Sequence, residues 1–149
     1  MKQQFHFLAK AFLLVIVFVF IQSFSIKGGD YYKVLLNGKL VAEQYLTKPS
    51  TVKVLSLNST NQNDQLTFYY SHCGKMGKSR SIILKNENGK IFKEWKFSDS
   101  GSPDMKLAVK EVLQASAKLN AVSVYYTSHE ISAGKLLITL NLSTALARR

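Results

Sequence analysis

Short apolar-rich runs separated by turn residues constrain the fold of this chain more than any other feature. Residues 31–46 hold two such runs joined at Asn37-Gly38, and Asn-Gly between two runs is the strongest short signal for a β-hairpin. Asn88-Gly89 joins two further runs in the same way. Strands and helices do not alternate along the chain as a doubly wound nucleotide-binding fold requires. The pattern therefore predicts a mainly β protein.

One late segment has the spacing of a helix instead. Ser102 suits an N-cap, Pro103 the first helical position and Asp104 the positive end of the helix dipole. Apolar residues then recur every three or four positions, at Met105, Ala108, Val109, Val112, Ala115 and Leu119. We expect an antiparallel β-sandwich of about seven to eight strands with one late amphipathic helix.

The N-terminus has the features of an export signal. Lys2 and Lys10 precede an unbroken apolar run, Ala11–Ile21, which is shorter than the stretch of about 20 residues that a membrane span needs. Ser25 suits the small-residue position before a cleavage site. We therefore expect a signal peptide at residues 1–25, a single β-sandwich-like domain at residues 26–149, and export to the periplasm or the extracellular space. The alternative is an uncleaved leader, which would then be the membrane contact of the chain.

Lysine dominates the charge of the chain. The formal net charge is +11 at pH 7, and the arginines are Arg80, Arg148 and Arg149. Proteins that read nucleic-acid bases favour arginine for bidentate contacts, so a lysine-rich exported chain is not expected to bind nucleic acid. We expect a non-enzymatic binding module of the cell envelope, with an anionic or polysaccharide ligand or another envelope protein as its partner.

Two segments of the chain, residues 66–84 and 122–140, resemble each other. Each runs through a Tyr-Tyr pair, a histidine, a Gly-Lys and an apolar strand. Because side chains alternate across a strand, Tyr70 and Tyr126 are expected to face inward, and Tyr69 and Tyr125 outward. If the two strands are neighbours, the outward tyrosines form one platform for a sugar ring or a protein partner. Ordinary solvent-side strand residues are the alternative interpretation. The predicted contact residues are Tyr69, Tyr125, Lys75, Lys78, Arg80 and Lys135.

The loop after Tyr70 holds the single cysteine of the chain, Cys73. Basic neighbours favour a thiolate, so a thiol-redox function would pair Cys73 with His129 as its base. A copper-handling function would use the soft ligands of this region, namely His72, Cys73, Met76 and His129, although they lack the Cys-x-His-x-Met order of blue-copper loops. Cysteine is among the most buried residue types. We therefore expect a packed, inert Cys73 in a stretch that forms the turn of a hairpin.

Overall fold

The computed structural model describes residues 29–46 and 51–143, and the predicted leader at residues 1–25 lies outside these ranges. Within them the chain is mainly β, with nine strands, one 3₁₀ turn at Ser59–Asn61 and one α-helix. The strands are β1 (Tyr31–Leu36), β2 (Lys39–Tyr45), β3 (Lys53–Asn58), β4 (Gln65–Ser71), β5 (Ser81–Lys85), β6 (Ile91–Lys96), β7 (Met105–Ala108), β8 (Ala121–Thr127) and β9 (Lys135–Ser143), and the helix is α1 (Val109–Ala115). None of the described helices is both long enough and apolar enough to cross a membrane.

The strands form two sheets whose inner faces share one core. The four-stranded sheet has the order β2-β1-β4-β7, and the five-stranded sheet has the order β3-β9-β8-β5-β6. The predicted sandwich-like, mainly β fold is confirmed. β3 runs parallel to β9, whereas the other strand pairs of the described ranges are antiparallel. This one pair departs from the all-antiparallel expectation.

Alternation of apolar residues along the strands decides which face of each sheet turns inward. Full burial of an apolar side chain contributes about 1.5–3 kcal/mol, so a strand with one apolar face orients that face towards the partner sheet. The inward residues predicted for β4 and β8 are confirmed, since none of them is more than 2% exposed: Leu66, Phe68, Tyr70, Val122, Val124 and Tyr126.

Both Asn-Gly hairpins predicted from the sequence are present. Asn37 and Gly38 have φ values of 50° and 78°, the left-handed values that a type I′ turn requires at both central positions. The Asn37 amide also donates to Asp64 Oδ1 at 2.7 Å and accepts from the Gln65 N–H at 2.9 Å. These bonds fix the β1–β2 turn against the start of β4.

The long amphipathic helix predicted for residues 102–119 is only partly correct. Residues 105–108 form the strand β7, in which Met105 and Leu107 are buried while Lys106 and Ala108 are exposed. α1 begins at Val109 and is seven residues long. The apolar residues of 105–108 fit a period of two as well as the helical spacing. Strand pairing with β4 covers an edge that a helix would leave unpaired.

The hairpin predicted across residues 68–81 is wrong. β4 lies in the four-stranded sheet and β5 in the five-stranded sheet, so this segment crosses between sheets. A tight turn does occur inside it, because the main chains of His72 and Lys75 exchange hydrogen bonds of 2.8 and 3.0 Å. Cys73 and Gly74 occupy its centre with φ values of 50° and 87°. The turn residues correctly indicate a change of chain direction, but they do not reveal which strands pair.

Candidate functional site

The crossover loop (residues 72–80) and the loop that joins β8 to β9 (residues 128–134) meet in the structure. The main-chain N–H of His129 donates to the carbonyl of Lys78 at 2.8 Å. The main-chain N–H of Lys78 in turn donates to Glu130 Oε2 at 3.1 Å. The two loops that resemble each other in sequence are therefore in direct contact.

A histidine cluster, made of Asp30, His72, Tyr126, Ser128 and Glu130, lies where these loops join. His72 Nδ1 is 3.3 Å from Asp30 Oδ2, and Nε2 is 3.2 Å from both the Tyr126 hydroxyl and Ser128 Oγ. Glu130 Oε2 is 3.9 Å from the same nitrogen. Asp30 directly precedes β1, while Tyr126 lies in β8 and Ser128 directly follows that strand. The cluster therefore connects the two sheets.

The carboxylate–histidine–hydroxyl order of the cluster is that of a Ser-His-Asp triad, but its surroundings are those of a structural tie. Ser128 is only 5% exposed, and Gly77 packs closely against the side chains of Tyr126, His72 and Glu130. A Cβ at Gly77 would overlap the Tyr126 hydroxyl and lie 2.9 Å from His72 Nε2. A substrate carbonyl needs that space to reach both the nucleophile and the base. The cluster is therefore packed as a hydrogen-bond network that joins the two sheets.

Burial keeps the phenols around the cluster in their neutral form. Burial, followed by the hydrogen bond to Asp30, raises the pKa of Tyr70 above its ordinary value, and burial likewise raises the pKa of Tyr126. Burial opposes ionisation of Glu130, but hydrogen bonds from Ser128 and from main-chain N–H groups outweigh it, so the pKa of this carboxyl is lowered. Neutral hydroxyl donors thus face an ionised carboxylate, which suits a permanent hydrogen-bond network.

Cys73 is exposed, so the prediction of a packed cysteine is wrong. Its place at the centre of a tight turn, with φ at 50°, turns the side chain towards solvent. Among the described residues, the hydrogen-bond partner of its sulfur is Asp30 Oδ1 at 3.8 Å. His129 is exposed and is not in hydrogen-bond contact with it. The Cys–His pair on which a thiol function depends is therefore not assembled.

Among the described residues, the ligands predicted for copper are likewise not assembled into a metal site. Met76 lies half-buried in the same loop as His72 and Cys73. Within residues 29–46 and 51–143, no group of three or more His, Cys, Asp or Glu side chains is arranged to hold a metal ion. The thiol and copper functions stay predictions.

Tyr69 and Tyr125 do not share one platform, because β4 and β8 belong to different sheets. Their inward neighbours, Tyr70 and Tyr126, stack on each other between the sheets, with ring centroids 4.2 Å apart and ring planes within 8°. Since side chains alternate along a strand, Tyr69 and Tyr125 point away from each other on opposite outer faces. The premise that the two strands are neighbours is corrected here.

Tyr69 has other aromatic neighbours instead, on the outer face of the four-stranded sheet. The ring of Tyr31 lies 6.0 Å from that of Tyr69 and 4.6 Å from that of Tyr45, measured between centroids. Lys33 Nζ lies 5.1 Å from the centroid of the Tyr69 ring, and Tyr45 is 58% exposed. These four residues, Tyr31, Lys33, Tyr45 and Tyr69, are called the tyrosine face below. It spans three adjacent strands.

Glu43 lies at the edge of the tyrosine face and accepts a 2.5 Å hydrogen bond from the Tyr31 hydroxyl. Burial, followed by this hydrogen bond, raises the pKa of Tyr31 to about 12. The phenol therefore remains a donor at physiological pH, and its ring is held in one orientation.

Arg80 is the one predicted contact residue that is fully buried, at 2% exposed. Its guanidinium donates to the main-chain carbonyls of Pro103 at 2.9 Å and Ser102 at 3.2 Å, and also to that of Ser98. Arg80 therefore fastens residues 98–103 against the end of β5. It does not offer a side chain to the solvent.

The surface lysines of the described ranges are not neutralised by carboxylates. No lysine or arginine there lies within 4.0 Å of a carboxylate oxygen, and both close ionic pairs belong to His72. The acids accept hydrogen bonds from neutral groups instead, as Glu94 does from Ser81 at 2.7 Å. The positive charge stays available to an external anion. This includes the predicted contact lysines, which are exposed or half-buried: Lys75, Lys78 and Lys135.

Sequence reasoning missed Tyr31 and Tyr45, and it missed the role of Ser128. Extending the inward period of two beyond Tyr126 would have placed Ser128 on the inner side, but nothing in the sequence reveals that β1 and β2 lie beside β4. Comparison with protein-family models, with curated proteins and with solved structures finds no match for this chain. What the protein does is therefore inferred from its own geometry.

Proposed function

We propose that this protein is an exported, non-enzymatic module of the cell envelope whose tyrosine face binds an acidic polysaccharide. The observation that carries the proposal is the row of rings formed by Tyr31, Tyr45 and Tyr69 on the outer face of the four-stranded sheet. Tyrosine supplies a large contact area at low entropic cost. The negative face of an aromatic ring attracts the polarised C–H bonds of a sugar ring, and the phenol hydroxyl adds a polar contact.

Charge supports an acidic sugar over a neutral one. The chain carries a formal net charge of +11, and the described lysines are not paired with carboxylates. Lys33 lies over the Tyr69 ring at 5.1 Å, so its ammonium group is close to any sugar that stacks there. A carboxylate on that sugar would gain a favourable interaction, and the overall positive potential would speed its encounter with the protein.

The polar character of the tyrosine face favours a polysaccharide over a protein partner. The cores of protein–protein interfaces are depleted in charged residues. Here Lys33 and Glu43 lie directly opposite each other on neighbouring strands, in the row next to Tyr31 and Tyr45. Charged groups between the rings suit a ligand that is itself rich in hydroxyls and carboxylates.

Calorimetric titration of the purified protein with polygalacturonate, with uncharged dextran as the comparison, tests the proposal. We expect binding to polygalacturonate alone. Replacement of Tyr45 with alanine should weaken it about tenfold, the value of one lost aromatic contact. Leu40→Ala is the matched control, because Leu40 is 54% exposed on the same strand, and it should leave the affinity unchanged. Absence of binding, or equal binding by the Tyr45→Ala variant, would overturn the proposal.

A further inference from the structure

The back-to-back packing of the two Tyr-Tyr pairs gives the molecule two comparable outer faces. Tyr70 and Tyr126 stack on each other in the core, which turns Tyr69 outward on one sheet and Tyr125 outward on the other. Each outward tyrosine carries a lysine over its ring. Lys33 Nζ is 5.1 Å from the Tyr69 centroid, and Lys85 Nζ is 4.2 Å from the Tyr125 centroid.

A groove of about 750 Å³ extends this arrangement on the outer face of the five-stranded sheet. Its floor is formed by the outward residues of β5, which are Ser81, Ile83 and Lys85. Ile83 lies directly opposite Tyr125 in the β5–β8 register, so Tyr125 lies next to the groove floor, although it does not itself line the groove. Lys85 both contacts the Tyr125 ring and lines the groove.

The groove is lined by three cationic side chains, Arg80, Lys85 and Lys96, and by two carboxylates, Glu94 and Asp99. Each carboxylate accepts a hydrogen bond from a neutral group, Glu94 from the Ser81 hydroxyl at 2.7 Å and Asp99 from the Ser79 N–H at 2.6 Å, and keeps its negative charge, so the excess of positive charge is one. The lysines of the groove, Lys85 and Lys96, have no carboxylate within 4.0 Å among the described residues.

Arg80 adds a buried charge to the groove wall. It is 2% exposed and lines the groove, and its Nε atom has no hydrogen-bond partner within the described ranges. The guanidinium donates to main-chain carbonyl oxygens and not to carboxylates, so no acidic partner offsets its charge within the described ranges. This charge adds to the positive potential along the groove wall.

We propose that this groove, together with Tyr125 and Lys85, is a second binding site for acidic polysaccharide, so that one protein molecule bridges two polysaccharide chains. The inference rests on the proposed function, because it assigns the same ligand class to both faces. Two sheets pack about 10 Å apart, and the two sites face away from each other across both layers. A short stretch of one polymer chain cannot lie on both faces, so each face binds a separate stretch of polymer, and stretches from two different chains are thereby bridged.

Chemical-shift mapping by NMR with trigalacturonate, an oligosaccharide too short to reach both faces, tests the second site directly. We expect two separate groups of shifted amides, one in β1, β2 and β4 and one in β5, β6 and β8. The Tyr125→Ala and Lys85→Ala variants should each lose the second group by at least about tenfold in affinity, while the first group persists. Two variants are used so that a folding defect in one does not decide the result.

The outcomes separate the two proposals. Shifts confined to β1, β2 and β4 would overturn the second site and leave the proposed function standing. Absence of both groups would overturn the proposed function itself. Shifts at the second face that both variants retain would mean that Tyr125 and Lys85 do not form the site.

Bridging of polymer chains can also be measured independently of the NMR experiment, by light scattering with the full-length polymer. Light scattering of polygalacturonate mixed with the native protein should pass through a maximum at an intermediate ratio, because excess protein occupies every polymer site singly. The Tyr125→Ala variant should bind the polymer without this maximum. Equal scattering from the variant would contradict bridging.

Discussion

Gly77 packs so closely against the histidine cluster that a larger side chain at this position would not fit. A methyl group at this position would overlap the Tyr126 hydroxyl and come within 2.9 Å of His72 Nε2. We expect Gly77→Ala to lower the free energy of unfolding by about 1–3 kcal/mol, the usual cost of overpacking, as measured by urea denaturation. Ser132→Ala, at an exposed position of the neighbouring loop, should change it by less than about 0.5 kcal/mol. A neutral Gly77→Ala would show that the cluster can open.

Cys73 should react without unfolding of the protein. Its side chain is exposed at the centre of a tight turn, so a thiol reagent reaches the sulfur in the native state. We expect complete labelling of the native protein within the time that an exposed peptide thiol requires, and none for Cys73→Ser. Labelling that begins only when denaturant unfolds the chain would contradict the exposed position.

The phenol of Tyr31 should titrate near its raised pKa of about 12. Because the folded value lies above the ordinary value of 10.0, the stability that Tyr31 contributes is fully present below about pH 10 and is lost as the pH rises towards 12. Glu43→Gln removes the negative charge beside the hydroxyl and should move this titration to lower pH. Ultraviolet absorbance of the phenolate measures it, and Tyr31→Phe identifies the signal. An unchanged titration in Glu43→Gln would assign the shift to burial alone.

The inward or outward orientation of single side chains was predictable from the sequence wherever apolar and polar residues alternate along a strand. The period of two correctly turned Tyr70 and Tyr126 inward, because burial of apolar area governs strand orientation. It could not supply the neighbours of Tyr69, since Tyr31 is 38 positions away in the chain and meets it only through strand pairing.

At the scale of elements, the buried side chain of Arg80 holds the segment between β6 and β7 in place through hydrogen bonds. Its three carbonyl partners all lie in residues 98–103. Arg80→Met should leave these carbonyls without a donor and lower the free energy of unfolding by about 2–4 kcal/mol. The rate of amide hydrogen exchange should rise first in residues 98–104. A local rise of this kind distinguishes loss of the Arg80 hydrogen bonds from a general loss of stability. Uniform acceleration across both sheets would contradict a local role.

Most strands were predictable because turn residues and alternation mark them locally. Their assignment to sheets was not, as β4 and β5 show. They flank one short loop, yet they do not pair with each other: β4 pairs with β1 and β7, whereas β5 pairs with the next strand, β6, and with the distant β8. β7 was missed because Met105 to Ala108 fit both periods, and the choice between them depends on the free edge of β4.

For the molecule as a whole, the absence of lysine–carboxylate pairs among the described residues predicts an unusual response to salt. No such pair stabilises the fold within residues 29–46 and 51–143, and the excess of lysine makes the folded chain repel itself. Raising the salt concentration screens that repulsion, so the melting temperature should stay constant or rise slightly in calorimetry. Binding of polygalacturonate should fall steeply over the same range. A melting temperature that falls with salt would reveal stabilising ion pairs.

The parallel pair of β3 with β9 has a consequence for when the chain can fold. β9 lies between β3 and β8 in the five-stranded sheet. β3 can therefore join this sheet only after β9, the most C-terminal strand of the described residues, has been made. A chain that has emerged only as far as residue 134 therefore lacks the strand that joins β3 to the rest of this sheet. Until β9 is present, β3 has no partner in the five-stranded sheet, so this sheet cannot be completed. With the export proposed above, this dependence on β9 would delay completion of the sheet until residues 135–143 have crossed the membrane.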